Sequence, residues 1–248
     1  MIRHSLLGMT LAVSLVGAGC ATGAPYNPFK IAQDEFYGKI KVIALAPVVF
    51  PRDVEDPEPA AVTFESLIQA KLQEAGFSVV PSREYAETRK RMAQTVGGVF
   101  DPVTGRPDES KSKIVQEHTL RELNTKFNAT AVLYPSVRAV KAAFNVGLAR
   151  WDGTSEPIAA GGFLSTLRTS QSIGTTTALS LVAIIKDIHG VDLYANGGGI
   201  QLLSKLSTNW FPGAQFTPVP RNELFANEER NMTAVNITLG PLVRKPGP

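Results

Sequence analysis

The stretch KIKVIALAP at residues 39–47 decides the fold class of this chain, because it is a β-branched, apolar run that ends at a proline. Such a run predicts a buried strand in the interior of a sheet. Apolar residues then recur at helical spacing from Phe64 to Ala75, and Gly76 suits the left-handed cap of that helix. Residues 77–81, FSVVP, predict a second short strand. Strand, helix and strand in this length indicate a right-handed crossover between parallel strands.

The rest of the chain extends this pattern into an α/β fold of 248 residues, 44% of them hydrophobic. Ser82 is the predicted cap of a helix that runs to Met92, and a loop near 97–112 separates it from a helix over 113–127. A strand over 130–134, which Pro135 ends or bulges, precedes a turn at 151–153 and an insertion near 159–177 that is rich in Gly, Ser and Thr. A hairpin of strands over 178–188 and 191–200 follows, and then a helix over 222–239 with one apolar stripe of Leu224, Met232, Val235 and Leu239. We therefore predict a mixed sheet flanked by helices, in the order β-α-β-α-α-β, followed by antiparallel hairpin strands and a C-terminal helix.

Three consecutive glycines, residues 197–199, interrupt the second strand of the predicted hairpin. They do not form a phosphate loop, because no helix start or Lys-Ser/Thr pair follows them in the required register. Three glycines in a strand indicate a bulge or a close approach of another backbone.

The amino terminus has the pattern of an export signal. Arg3 and His4 precede residues 5–19, an uncharged run of apolar and small residues that is too short to span a bilayer as a helix. Cys20 follows and is the only cysteine, so the chain has neither an intramolecular disulfide nor a cysteine-rich metal site. With 25 Lys and Arg against 22 Asp and Glu, the net charge of +3 is a poor footprint for nucleic-acid binding.

The segment Val16-Gly17-Ala18-Gly19-Cys20 resembles the lipobox of bacterial lipoproteins, with Gly17 where that family usually has leucine. The resemblance implies cleavage between Gly19 and Cys20 and acylation of Cys20. Ala21 replaces the aspartate that retains such proteins in the inner membrane, so we expect a lipid anchor on the periplasmic face of the outer membrane. The predicted division is a signal peptide over 1–19, a lipidated tether over 20–36 and one periplasmic α/β domain over 37–248. The alternative is an ordinary secretory signal that is cut near Ala21 or Ala24.

The domain resembles the small amino-terminal domain of the TolB translocation protein and the lipoprotein family of the curli secretion channel. The matching segments are residues 42–47, 74–76, 77–80, 127–134 and 186–194. The propeller repeats of TolB are absent from the sequence. The resemblance implies a periplasmic interaction module without catalysis.

Catalytic and metal-binding patterns are sparse in this sequence. His118 and His189 are the only histidines after the leader, and no G-x-S-x-G elbow accompanies them. The carboxylates of residues 53–58 do not have the spacing of a calcium loop and are expected to be solvated. Residues 101–108 carry ordinary turn-forming pairs. We therefore expect neither an enzyme nor a bound metal or cofactor.

Aromatic residues in proline-bearing loops are the candidate partner-binding residues, because such side chains often anchor interfaces. They are Trp151, Trp210, Phe211 and Phe216. The alternative is that these aromatic side chains pack over the open edge of the sheet.

The resulting hypothesis is a lipid-anchored, non-catalytic interaction or assembly module that binds an envelope protein or itself. One alternative is a subunit of an oligomeric outer-membrane secretion pore. The membrane-spanning hairpin of such a pore could come only from residues 137–177. There the alternation of apolar lipid-facing and polar lumen-facing residues is interrupted by Arg150, Asp152, Glu156 and Pro157. The other alternative is a periplasmic hydrolase, which would need a cleft that joins His118 or His189 to a carboxylate and a hydroxyl.

Overall fold

The structure is a computed structural model that describes residues 26–102, 104–159, 173–207 and 215–243. Its helices and strands are α1 (Gln33–Lys39), β1 (Val42–Leu45), α2 (Glu58–Glu74), β2 (Ser78–Val80), α3 (Ser82–Thr95), α4 (Glu109–Phe127), β3 (Ala131–Asn145), β4 (Leu148–Trp151), β5 (Thr154–Pro157), β6 (Ile173–Asp187), β7 (Asp192–Leu202), β8 (Ser204–Leu206), β9 (Phe216–Pro218) and α5 (Glu228–Leu239). The predicted α/β class, with a mixed sheet flanked by helices and a C-terminal helix, is confirmed.

The main sheet is mixed because parallel and antiparallel strands share β3. On one side β3 pairs in parallel with β1, which pairs in parallel with β2, as the crossover pattern predicts. On the other side β3 pairs antiparallel with β6 over its whole length, and β6 pairs antiparallel with β7. The carboxyl-terminal end of β3 pairs antiparallel with β4, and β4 pairs antiparallel with β5. This short hairpin therefore extends the sheet at the end of β3 that β1 does not reach.

Each face of the sheet has its own core, because successive side chains of a strand point to opposite faces. Leu133 faces α1, α2 and α5, where Phe64 and Leu239 are fully buried. Val132 faces the other way, towards α3 and α4, and packs with Leu123. A third core lies under the β4–β5 hairpin, between the far half of β3 and β6 and the strands β7 and β8.

A buried carboxylate fastens the β4–β5 hairpin to the rest of the domain. Glu156 is only 6% exposed at its side chain, and its Oε2 accepts the backbone N–H of Leu202 at 2.9 Å. Its Oε1 lies 2.7 Å from Nζ of Lys205 and 3.0 Å from Nη1 of Arg230 on α5. One residue of β5 therefore ties three other segments together.

The folded part of the chain includes part of the predicted tether of residues 20–36. Phe29 bridges to Tyr194, and the Lys30 N–H donates to the carbonyl of Leu193. Phe36 on α1 is fully buried, with its ring edge-on to Phe29 at 5.3 Å between centroids. Two aromatic side chains thus hold the segment before residue 37 against the first core.

The prediction that Pro135 ends or bulges the third strand is wrong, since β3 continues to Asn145. The Leu133 carbonyl accepts the Ala46 N–H and the Pro135 carbonyl accepts the Val49 N–H, so Pro135 presents its backbone to the side of β1. The proline nitrogen, which has no hydrogen, faces the gap in pairing between Leu45 and Val49. No ladder hydrogen bond to β6 is lost.

The predicted cap of α3 and the predicted start of the last helix are also wrong. Ser82 is the first residue of α3, after Pro81 at the cap position, and its hydroxyl instead hydrogen-bonds the carboxylate of Glu65 on α2. The last helix does not begin at residue 222: a 3₁₀ turn ends at Glu223, and Asn227 caps α5 by accepting the N–H of Arg230 at 3.0 Å.

The predicted apolar stripe of the last helix is wrong at two positions. Leu224 lies before α5, and Met232 is 48% exposed. The buried face of α5 includes the polar side chains of Asn231 and Thr238, which hydrophobic periodicity does not count. Thr238 is accommodated there because its hydroxyl donates to the Ala234 carbonyl at 2.7 Å.

Candidate functional site

A crevice of about 530 Å³ opens at the carboxyl end of β1, beside Tyr134 and Pro135 in the first half of β3. The carboxyl end of a parallel strand is a common position for ligand sites in α/β sheets. We call this opening the basic crevice. Its walls come from the end of β1, from β3, and from the facing sides of α3 and α4, with the lining residues Ala46, Pro47, Val49, Tyr85, Ala86, Arg89, Lys90, Ala93, Gln116, Tyr134 and Pro135. Most of this lining is apolar and small.

The polar groups in the wall of the basic crevice already bind one another. Gln116 Nε2 donates to the Tyr134 hydroxyl at 2.6 Å, and the Tyr85 hydroxyl lies 3.4 Å from Gln116 Oε1. The two tyrosine rings meet edge to face, 6.3 Å apart. Burial raises the pKa of the Tyr134 phenol well above its ordinary value near 10. Tyr134 is therefore a neutral, fixed group and not a general base.

The charge of the basic crevice comes from α3. Arg83 and Arg91 on this helix are paired, with Glu87 at 2.9 Å and Glu122 at 3.2 Å. Arg89 and Lys90, the two cations of α3 that line the crevice, are exposed and have no carboxylate partner within the described residues. The crevice thus has an apolar interior and a positive rim.

Trp151, a predicted partner-binding residue, is a core residue. Its side chain is buried at 6% exposure, and its Nε1–H donates to the Leu179 carbonyl at 3.1 Å. The indole fits because Gly199 has no side chain, since a Cβ there would stand 2.6 Å from Nε1. Trp151 therefore packs against the sheet, as the alternative interpretation predicts, and its side chain is not available to a partner in this structure.

The other predicted site residues differ in what the structure says of them. Phe216 is 39% exposed, and its ring lies 5.8 Å from that of Phe144. Its role in partner binding stays a prediction. Gly19, Cys20, Trp210 and Phe211 lie outside the described residues. Neither Trp151 nor Phe216 lines the basic crevice, which sequence reasoning missed.

The histidines occupy separate places in the fold. His118 is half-buried on α4, and His189 is exposed in the turn between β6 and β7. In the ranges that the structure describes, no hydrogen bond joins either imidazole to a hydroxyl or a carboxylate, and no cluster of three metal-ligating side chains occurs. The hydrolase hypothesis gains no geometric support from these positions.

The acidic loops form ordinary local structure. In the loop of residues 53–58, Glu55 is paired with Arg221. In the loop before α4, Asp101 Oδ1 accepts the Thr104 N–H at 2.9 Å and Asp108 caps the helix, as turn-forming pairs predict.

Two of the residues that interrupt the hairpin proposed for a pore have structural partners. Asp152 Oδ2 accepts the Ser180 hydroxyl at 2.6 Å, and Glu156 holds its two cations. The pore alternative stays a prediction. The described part of the chain contains no helix with the length and apolar content needed to cross a membrane.

Comparison with known proteins gives similarities to solved structures alone. No family model and no curated protein sequence matches the chain. A PelC dodecamer from Paraburkholderia phytofirmans matches over 89% of this chain and 96% of its own, with 10% identity and a TM-score of 0.35. The lipoprotein GNA1162 from Neisseria meningitidis matches over 64% and 81%, with 17% identity and a TM-score of 0.31. At these values the likenesses assign no function to this chain, and the TolB resemblance stays a prediction.

Proposed function

We propose that this protein is a lipid-anchored component of the bacterial envelope whose α/β domain is a non-catalytic interaction module on the periplasmic face of the outer membrane. The observation that supports an interaction module is the basic crevice. It combines an apolar interior with two cations, Arg89 and Lys90, that have no carboxylate partner among the described residues. The leader that ends at Cys20 supports the anchor.

The chemistry of the crevice favours binding over catalysis. Among the described residues, its lining contains no serine, cysteine, histidine or carboxylate, the side chains that most often act as nucleophile or general base. Gln116 and Tyr134 hold each other in place through a hydrogen bond. A rigid, apolar pocket with few polar groups is typical of a recognition site.

The anchor is tested by replacing the thiol that would be acylated. Cys20→Ser is expected to abolish palmitate labelling and to release the protein from the outer-membrane fraction. Ala21→Ser, a change of similar size at the next position, is the control and should leave both unchanged. Retention of Cys20→Ser in the membrane together with an unlabelled wild-type protein would disprove the anchor.

The interaction module is tested by site-specific photo-crosslinking in native membranes. A photoreactive side chain at Ala86 or Ala93, both in the crevice lining, should capture the same envelope component. The matched control is Ala70, an exposed alanine on α2 outside the crevice. Capture that is absent at both crevice positions, or equal at Ala70, would contradict the crevice as the site of interaction.

A further inference from the structure

We infer that the basic crevice binds a single-chain amphiphile with an anionic head, and that Arg89 and Lys90 hold the head while the apolar lining holds the aliphatic chain. This inference rests on the proposed function, because it names the chemistry of what the interaction site takes. Three observations about the crevice lead to it.

The first observation is the uneven pairing of the cations on α3. Arg83 and Arg91 each have a glutamate within 3.2 Å, whereas Arg89 and Lys90 line the crevice without one. The segments outside the described ranges, residues 1–25, 103, 160–172, 208–214 and 244–248, contain no Asp or Glu. No carboxylate side chain of those segments can therefore neutralise the rim, and a bound anion would supply the missing charge.

The second observation is the size and surface of the interior. A volume of about 530 Å³ lies within the range of roughly 300–1,000 Å³ that is usual for small-molecule sites. The walls include Ala46, Pro47, Ala86 and Ala93, whose small side chains leave room for a narrow chain. An aliphatic chain gains affinity there from each methylene that leaves water.

The third observation separates an amphiphile from a peptide. A peptide that entered the crevice would bring N–H and C=O groups that need partners once they are buried. The side-chain groups of Tyr85, Gln116 and Tyr134 already bind one another and leave few partners for such a backbone. An aliphatic chain needs none, so this interior suits an amphiphile better.

The experiment is photoaffinity labelling of the full chain in native membranes with a diazirine-bearing dodecanoate, followed by mapping of the labelled residues. We expect the label on the walls of the crevice, at Ala86, Ala93 or Tyr134. Unlabelled laurate and dodecyl phosphate should compete at concentrations at least tenfold lower than dodecanol. Within the carboxylate series, competition should strengthen about fourfold for each added methylene until the crevice is full.

Matched variants separate the head from the chain. Arg89→Gln with Lys90→Gln should weaken labelling about five- to tenfold, because each exposed ion pair contributes modestly. Arg83→Gln with Arg91→Gln removes the same charge from the same helix outside the crevice and should leave labelling unchanged. Ala86→Phe should block the chain, whereas Ala70→Phe should not. Circular dichroism confirms that each variant is folded.

The outcomes also separate this inference from the proposed function. Dodecanol that competes as well as laurate, or labelling that maps outside the crevice, overturns the ligand class. Capture at Ala86 and Ala93 of a protein, combined with no amphiphile labelling, also overturns the ligand class but leaves the interaction module in place. Loss of both capture and labelling removes both proposals.

Discussion

Gly198 on β7 lies so close to the Ala234 carbonyl of α5 that a Cβ added to the glycine would stand 2.3 Å from the oxygen. The Thr238 hydroxyl would be 2.6 Å from the same Cβ. Helix α5 therefore packs directly on strand backbone, and the close approach predicted for the three glycines is confirmed. The predicted bulge is present as well, since the register of β6 and β7 shifts between Leu179 and Ser180.

The first prediction concerns this contact. Gly198→Ala should lower the free energy of unfolding by about 1–3 kcal/mol, because α5 or β7 must move to admit a methyl group. Urea denaturation measures the loss. Gly38→Ala is the control: a methyl group on Gly38, within α1, would meet no tertiary neighbour among the described residues within 4 Å, and alanine there should stabilise by about 0.5–1 kcal/mol. Equal effects of the two substitutions would mean that the helix does not touch the strand as described.

The second prediction concerns the buried Glu156. Glu156→Gln keeps an acceptor for the Leu202 N–H but removes the charge between Lys205 and Arg230, and we expect a loss of about 1–3 kcal/mol in unfolding free energy. Arg230→Gln should cost less than Lys205→Gln, because Arg230 is more exposed, at 40% against 26%. Chemical denaturation of the three variants gives the order. A larger loss for Arg230→Gln would contradict this account of the cluster.

The third prediction tests the burial of Trp151. In a Trp210→Phe variant, Trp151 is the sole tryptophan, since the chain has two. Its emission should be blue-shifted and poorly quenched by acrylamide, because the side chain is only 6% exposed. Red-shifted, readily quenched emission from the folded variant would restore Trp151 as a candidate interface residue.

The fourth prediction is a pH dependence. Burial raises the pKa of Tyr194, a fully buried phenol whose hydroxyl donates to the Thr238 carbonyl at 2.5 Å. In the unfolded chain a tyrosine loses its proton near pH 10, whereas folded Tyr194 keeps it, so unfolding releases a proton at high pH. The contribution of Tyr194 is fully present below about pH 9 and falls above about pH 10, by at most about 1.4 kcal/mol per pH unit.

The Phe variant isolates this effect. Tyr194→Phe should lose about 1 kcal/mol at pH 7 with the hydrogen bond, and its stability should decline less steeply than that of the wild type between pH 10 and 11. Thermal or urea unfolding across this range gives the two slopes. Parallel slopes would show that Tyr194 ionises equally in the folded and unfolded chains.

The periodicity of apolar residues and the positions of turn-forming residues predicted those parts of the fold in which the local sequence pattern and the tertiary packing agree. The apolar run at Val42–Leu45 and the helix ended by Gly76 formed as expected. The pattern failed where a contact distant in the chain decided the outcome. The tolerance of Pro135 within β3 depends on where β1 stops. Helix α1 forms from a short segment whose Phe36 is buried by residues far along the chain.

The basic crevice could not be predicted from the sequence, because its lining combines residues from β1, α3, α4 and β3 that have no common spacing. The one local signal was an Arg89-Lys90-Arg91 run in a helix. Sequence does not show which of those cations finds a glutamate, since the partner of Arg91 is on another helix. The unequal pairing emerges only after α3 and α4 have packed together.

The pairing of β3 with β6 at the centre of the sheet also has a consequence for folding. Ala131 pairs with Asp187, 56 positions further along, and Ile43 pairs with Ala131 across 88 positions, so the central strands join only after long loops have closed. Pairing between residues so far apart in sequence slows folding relative to a fold with mainly local contacts. Because β3 and β6 contribute to all three cores between them, none of the cores is complete without them. We therefore expect the three cores to be lost together when β3 separates from β6.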